Sequence, residues 1–131
     1  MSDFPLVPAR TALINVDMQR CFVEGTPLAS PDGPALVQTI NELIQACREA
    51  GVLVVHTRGW MAKDGSDLGV MAEIVPSFLV GLYTEGAPTA ELHDALDVAP
   101  NDLIINKPRY GAFHGTDLMQ VRFQRKLVDR G

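Results

Sequence analysis

Short apolar runs alternate along the chain with longer segments in which apolar residues recur at helical spacing. The short runs are residues 11–16 (TALINV), 52–57 (VLVVHT) and 102–106 (DLIIN). Their apolarity is nearly continuous, which is typical of strands covered on both faces. Strands that alternate with helical segments predict βαβ units and a parallel sheet. We therefore expect an α/β fold in a single domain over residues 1–131, since this length suits one hydrophobic core.

The clearest helix is predicted between the first two strands, from about residue 34 to residue 50. Gly51 then provides a natural C-terminal stop. The apolar positions that recur at helical spacing in this segment are Leu36, Ile40, Leu43, Ile44 and Cys47. Residues 58–100 form a long connection between the second and third strands, called the excursion below, which glycines and prolines interrupt. Shorter helices are predicted within it near residues 67–74 and 89–96. Long excursions after strands often build or cover a binding site.

The sequence stops after a third strand–helix unit. Thr116 and Asp117 can cap a final helix, which is predicted to run to about Arg130. A fourth strand would begin where the sequence ends. Three strands make a thin sheet, and the central strand would then have an exposed, very apolar edge that favours aggregation. We therefore expect a domain that is C-terminally incomplete, or one whose sheet a partner completes.

The composition excludes several classes of protein. The net charge of −5 opposes binding to a phosphate backbone, so no nucleic-acid partner is expected. No apolar stretch approaches the ~20 residues of a membrane span, so no membrane association is expected. Cys21 and Cys47 form neither a disulfide framework nor a zinc-binding spacing. Residues 1–10 lack the pattern of a signal peptide, and these features together favour the cytoplasm.

Two charged residues follow predicted strands directly, at positions where catalytic and ligand-binding residues are often found. Asp17 comes directly after the first strand, and Lys107 comes directly after the third. Ligands of open α/β sheets bind at the carboxyl ends of the strands, where these two side chains are expected to converge. There the pair would keep both groups charged, so that Asp17 could act as a base and Lys107 could stabilise an anion. Spacing alone leaves a second interpretation open, in which Asp17 caps a loop and Lys107 is solvated.

Three segments carry a family pattern: residues 11–22 (TALINVDMQRCF), 54–60 (VVHTRGW) and 106–118 (NKPRYGAFHGTDL). Together they resemble the isochorismatase-like superfamily, which includes the cysteine hydrolases that act as nicotinamidases and as N-carbamoylsarcosine and ureidoacrylate amidohydrolases. The resemblance implies a three-layer α/β/α, Rossmann-like fold, of which this sequence covers the N-terminal part. It also implies a catalytic aspartate at Asp17 and a catalytic lysine at Lys107.

The resemblance also implies a nucleophile that this sequence does not contain. In the cysteine hydrolases a thiol after the fourth strand completes the catalytic set, and the sequence ends before that strand. Neither cysteine can take this role by position. Cys21 lies in the first loop, and Cys47 lies on the apolar stripe of the predicted first helix, where a free cysteine acts as a small buried hydrophobe.

The function implied by the resemblance is that of a cysteine amidohydrolase, which cleaves a C–N bond of a small amide or ureido compound. Asp17 would be the base and Lys107 the anion stabiliser. One alternative is an isochorismate-type vinyl ether hydrolase, which lacks the thiol and keeps the aspartate and lysine. Another is a non-catalytic assembly or regulatory module that pairs through its open sheet edge. Family members are usually oligomeric, so a homo-oligomer that binds a small-molecule substrate is expected.

Aromatic residues near the strand ends could wall a small pocket, and the candidates are Phe22, Trp60, Tyr110 and Phe113. The predicted substrate-binding residues are Phe22, Trp60 and Phe113.

Arg58 could pair with a substrate carboxylate or could be a solvated loop residue, and His56 is predicted to be a core histidine with satisfied hydrogen bonds. No cofactor and no metal are predicted, because Asp64 and Asp67 lack the histidines that a nicotinamidase-type metal site would need.

Overall fold

The computed structural model describes residues 5–121. Within that range the strands and helices alternate as the sequence predicts. The strands are β1 (Ala12–Val16), β2 (Leu53–Gly59) and β3 (Leu103–Lys107). The helices are α1 (Arg20–Val23), α2 (Gly33–Glu49), α3 (Met71–Ile74) and α4 (Ser77–Val80). None of the helices in the described part of the chain has the length and apolarity needed to cross a membrane.

The sheet is parallel, with the order β1-β2-β3. Val16 of β1 pairs with Thr57, and Lys107 of β3 pairs with Gly59. The predicted α/β class with a parallel sheet is therefore confirmed. The expectation of an exposed edge on the central strand is wrong, because β2 pairs with a neighbour on each side. The edges left unpaired by the described strands belong to β1 and β3.

Helix α2 forms because its sequence provides one apolar face and two clear ends. Val37 and Ile44 are buried in one cluster with Val54 of β2. At the start, a Cβ atom on Gly33 would lie 1.9 Å from the carbonyl oxygen of Val23, so the close approach of α1 requires glycine there. At the end, Gly51 has a φ of +80°, and the next N–H bonds back into the helix, which is the usual glycine C-cap.

The two faces of the sheet are covered differently. Helix α2 covers one face, where Leu13 and Val54 join its apolar cluster. On the other face a smaller cluster joins Val55, Ile105 and Leu118. Ile14 and Val16 of β1 are 36% and 60% exposed there. Helical backbone runs from Leu118 to Val121, and the rest of the helix predicted to reach Arg130 lies outside the described residues.

The excursion between β2 and β3 differs most from prediction. The predicted helix near 67–74 is present in part as α3, whereas α4 and a 3₁₀ turn over Gly81–Tyr83 were not predicted. The helix predicted near 89–96 is wrong, since only a 3₁₀ turn forms at Pro88–Ala90. After this turn the backbone is extended, and Leu92 pairs with Gln19 in an antiparallel bridge. This contact with the loop after β1 overrides the local helical pattern.

Candidate active site

Asp17 lies directly after β1 in a strained backbone conformation. Its φ is +56°, and among the described residues it is the one non-glycine residue with a positive φ. Such a conformation costs on the order of 1 kcal/mol and persists where the surroundings fix it. Here the Asp17 N–H donates to the carbonyl oxygen of Thr57 at 3.1 Å, which ties the turn to the end of β2. The carboxylate is thereby held at the carboxyl end of the sheet.

Lys107 meets Asp17 at this end of the sheet. The Lys107 Nζ lies 2.8 Å from Asp17 Oδ2. The side chain of Lys107 is 5% exposed and that of Asp17 is 24% exposed. A buried ammonium is costly without a counter-ion, so the pairing explains how β3 can end on a buried lysine. The convergence of the two side chains, which the sequence predicted from their positions after the strands, is confirmed.

Thr57 orients the carboxylate and was missed by the sequence reasoning. Its hydroxyl donates to Asp17 Oδ1 at 2.9 Å, and the side chain is fully buried. The two carboxylate oxygens of Asp17 are thus distinguished, one bound by Thr57 and the other by Lys107. One sequence feature could have identified Thr57: it is a hydroxyl residue near the carboxyl end of an otherwise apolar strand. In the structure it pairs with Val16, the residue before Asp17.

Gln19 is a second residue that the sequence reasoning missed. It is fully buried, and its Nε2 donates to the carbonyl oxygens of Gly59 at 2.9 Å and of Ala90 at 2.6 Å. Its Oε1 accepts from the Gly59 N–H at 2.7 Å. Gln19 therefore fixes the last residue of β2 and the Pro88–Ala90 turn to the loop that carries Asp17. Nothing in the local pattern distinguishes it from a solvated loop glutamine.

A cavity of about 550 Å³ opens above the Asp17–Lys107 pair. Phe22 lines it, as do two tyrosines, Tyr83 and Tyr110. The Phe22 and Tyr83 rings pack with their centroids 5.8 Å apart. The other two residues predicted to bind substrate, Trp60 and Phe113, are not among the residues that line the cavity. The cavity wall is instead completed by the excursion, which the sequence reasoning did not resolve into individual residues.

The structure assigns Trp60 and Arg58 to contacts within the protein. The Arg58 guanidinium stacks over the Trp60 ring at 4.1 Å. Its Nε donates to Asn106 Oδ1 at 2.8 Å and its Nη1 donates to Glu91 Oε2 at 2.7 Å. These bonds use two of the five guanidinium N–H donors. Arg58 is therefore anchored within the protein and is not a solvated loop residue.

The two cysteines, Cys21 and Cys47, are both free thiols, and they lie in different environments. Cys21 is fully buried in a cluster with Met61, Val80 and Tyr83. Burial raises the pKa of the Cys21 thiol to about 11, so the thiolate is scarce at neutral pH. Cys47 is partly buried and packs against the core beneath α2. Between residues 5 and 121, no three His, Cys, Asp or Glu side chains cluster closely enough to hold a metal ion.

A second buried ionic cluster lies at the opposite end of β3. Asp102 Oδ2 accepts from Arg48 at 2.6 Å and from the Ala99 N–H at 2.9 Å, and it lies 2.8 Å from His56 Nε2. Burial alone would raise the pKa of Asp102, but hydrogen bonds from Arg48, Ala99 and His56 outweigh it and hold the pKa below its usual value. His56 is fully buried and also contacts Asn15, so its prediction as a satisfied core histidine is confirmed.

Comparison with known proteins gives one consistent family. The isochorismatase domain family matches residues 11–126. The phenazine biosynthesis protein PhzD of Pseudomonas fluorescens is 31% identical over 121 residues, which cover 92% of this chain and 55% of that protein. The ureidoacrylate amidohydrolase RutB of Cronobacter sakazakii is 31% identical over 150 aligned residues, which cover 95% of this chain and 63% of that protein.

A solved structure gives the same result for the fold. The crystal structure of a cysteine hydrolase from Pseudomonas syringae pv. phaseolicola superposes with a TM-score of 0.86 at 38% identity. The match covers 95% of this chain and 61% of the other. The three-layer α/β fold implied by the sequence resemblance agrees with this likeness. The chain therefore spans between about half and two thirds of the length of the relatives it matches.

Proposed function

Because this chain belongs to the isochorismatase family, we propose that it provides the Asp17–Lys107 part of a hydrolase active site of the cysteine amidohydrolase type. The substrate class is a small amide or ureido compound. The observation that carries this proposal is the 2.8 Å contact between a buried lysine and a strained aspartate at the floor of a cavity. Opposite charges that converge in a cleft are characteristic of catalytic sites.

In the proposed reaction, Asp17 is the general base. A thiol sulfur attacks the carbonyl carbon of the substrate while its proton passes to the Asp17 carboxylate. Lys107, held against the same carboxylate, stabilises the negative charge that moves through the site. The proton then passes to the leaving nitrogen as the C–N bond breaks, which leaves a thioester and an amine. Water cleaves the thioester to the acid and regenerates the thiol.

The thiol in this proposal is supplied from outside this sequence, whose two cysteines are Cys21 and Cys47. Cys21 is excluded by its burial and its raised pKa of about 11, and Cys47 lies on α2, packs against the core and does not line the cavity. The contact between Asp17 and Lys107 also supports a second candidate, an isochorismate-type vinyl ether hydrolase that uses the aspartate and lysine without a thiol. The two candidates differ in whether an added thiol accelerates the reaction.

A third proposal concerns assembly. Ile14 and Val16 expose apolar surface on β1, beside a strand edge that the described strands leave unpaired. This supports a homo-oligomer, and it is also the feature that a non-catalytic assembly module would use. We place the protein in a reducing compartment such as the cytoplasm, which the two free cysteines support. Size-exclusion chromatography with light scattering tests the oligomer directly.

An external thiol provides a test of the chemistry. The purified chain is mixed with p-nitrophenyl butyrate and ethanethiol, and the release of p-nitrophenolate is followed with and without thiol. We expect thiol-dependent release that Asp17→Asn lowers by about a hundredfold, the usual contribution of a general base. Cys21→Ser should leave the rate unchanged. Release that does not depend on Asp17 would contradict the proposal, and Asp17-dependent cleavage of vinyl ethers without thiol would favour the second candidate.

A further inference from the structure

The floor and the wall of the cavity differ in chemical character. The floor consists of the Asp17–Lys107 ion pair. The wall is apolar, and it comes from the loop after β1 and from the excursion. Its side chains include Phe22, Leu28, Leu68, Met71 and Val75. An apolar wall of this kind binds the apolar part of a ligand, because contact removes hydrocarbon surface from water.

Apart from the hydroxyls of Tyr83 and Tyr110, the side chains of the wall offer no polar partner to a second functional group of a substrate. Among the described residues that line the cavity, charge is confined to Asp17, Lys107 and Arg109. The first two bind each other, and the remaining oxygen of Asp17 is bound by Thr57. A carboxylate or ureido group pressed against Leu68 or Val75 would lose water without gaining a hydrogen bond, which is costly.

Arg109 lies at the exposed rim rather than on the wall. Its Nη1 donates to the carbonyl oxygens of Asp67 and Pro108, the latter at 2.8 Å. These bonds hold the guanidinium along the rim, between the end of β3 and the excursion. A substrate anion at Arg109 would therefore extend out of the cavity, and its apolar section would still lie between the rim and the ion pair.

We propose that the substrate is the amide of a hydrophobic carboxylic acid, with an apolar acyl group held against the excursion wall. This proposal rests on the proposed function, since it places the reacting carbonyl at the Asp17–Lys107 pair. It separates this chain from enzymes whose substrates carry a ureido group and a carboxylate close together. The acyl group, aliphatic or aryl, is recognised through its shape and its lack of polar atoms.

Binding of a matched pair of ligands tests the proposal without requiring turnover. Hexanamide and 5-carbamoylpentanoic acid have the same chain and the same amide, and they differ in a terminal methyl or carboxylate group. Dissociation constants for the 131-residue chain are measured by ligand-observed NMR. We expect hexanamide to bind at least about tenfold more tightly, since only its terminus can be buried against the wall without a lost hydration shell.

Variants of the wall distinguish a ligand site from incidental affinity. Leu68→Asn should weaken hexanamide binding by about fivefold to tenfold, because it places an amide where the acyl chain lies. Leu43→Asn is the matched control, since Leu43 is 50% exposed on α2 and does not line the cavity. Val75→Thr, which is nearly isosteric, provides a second wall variant if Leu68→Asn fails to fold. Circular dichroism of each variant checks folding.

Several outcomes would overturn this inference. Tighter binding of 5-carbamoylpentanoic acid, lost in Arg109→Gln, would place a substrate carboxylate at the rim. Hexanamide binding that neither wall variant changes would show that the wall is not a ligand surface. Asp17→Asn separates the two proposals, because it should retain hexanamide binding and lose the thiol-dependent reaction. Loss of binding selectivity contradicts the substrate class, whereas loss of Asp17 dependence contradicts the chemistry.

Discussion

Two carboxylates at opposite ends of the sheet pair with cations, and they differ in how many of their hydrogen-bonding positions protein groups fill. Asp102 contacts both Nε and Nη2 of Arg48, the Ala99 N–H and the His56 ring. Asp17 has two side-chain partners, Lys107 and Thr57, and faces a cavity. A carboxylate surrounded by protein donors stabilises the fold, whereas one that faces open space on a strained backbone remains available to a ligand. From this comparison we assign the Asp102 cluster a structural role and propose a chemical role for the Asp17–Lys107 pair.

The largest effect expected from this comparison follows the substitution Lys107→Met. It should lower the thiol-dependent release of p-nitrophenolate by a hundredfold or more, about 3 kcal/mol, because the anion loses its stabilising charge. The free energy of unfolding should change by less than about 1 kcal/mol, since the Asp17 carboxylate can be hydrated from the cavity and the methionine remains buried. Rates and urea unfolding are measured on the same preparation. A large loss of stability with an unchanged rate would make this pair structural.

The complementary substitution, Asp102→Asn, should act on stability instead. It removes the charge that Arg48 and His56 contact, and we expect a loss of about 2 to 3 kcal/mol in the free energy of unfolding. The thiol-dependent rate of the folded protein should stay within about threefold of wild type, since Asp102 lies at the other end of β3. Asp97→Asn is a control, because Asp97 also pairs with Arg48 but is 44% exposed. An equal loss in the free energy of unfolding for Asp102→Asn and Asp97→Asn would contradict the structural role assigned to Asp102.

Acid unfolding should also distinguish the two clusters. The hydrogen bonds of Asp102 hold its pKa below the usual value despite burial, so it stays ionised in the folded state where it is already protonated in the unfolded state. Its stabilising contribution is therefore complete above about pH 4 and is lost as the pH falls through the lowered pKa. Urea unfolding across that range should show a shallower decline for Asp102→Asn than for wild type. Parallel pH profiles would contradict this assignment.

A smaller effect is expected at Thr57, which we assign as a positioning residue. Thr57→Val should lower the thiol-dependent rate by about tenfold, since it removes a hydrogen bond to a charged group, and Thr57→Ser should restore most of that loss. The loss should appear in kcat rather than in KM, because the hydroxyl orients the Asp17 carboxylate and does not line the cavity. A purely structural role would lower the stability of both variants without this selective loss of kcat.

The regular elements and the charge pair could be predicted from sequence for simple physical reasons. The strands are nearly continuous apolar runs, and α2 has an apolar face and a glycine stop at Gly51. Asp17 and Lys107 could be paired because the carboxyl ends of parallel strands lie at one edge of a sheet. Each of these inferences needs only local periodicity and one topological rule.

The remaining parts of the site depend on tertiary contacts that a single sequence does not encode locally. Thr57 reaches Asp17 through the pairing register of β1 and β2, and Gln19 is buried by a turn 71 residues away along the chain. The cavity wall comes from the excursion, whose glycines and prolines weaken any periodic signal. Trp60 illustrates the limit, because its aromatic ring serves Arg58 and does not line the cavity.

The most direct test of the central claim is a double-mutant cycle on the thiol-dependent rate. Asp17→Asn, Lys107→Met and the double variant are compared with the wild-type chain under one set of conditions. If the two side chains act as one catalytic unit, the double variant should be no slower than the slower single variant, with a coupling of about 2 kcal/mol or more. Losses that simply add would contradict the claim and would make the two residues independent.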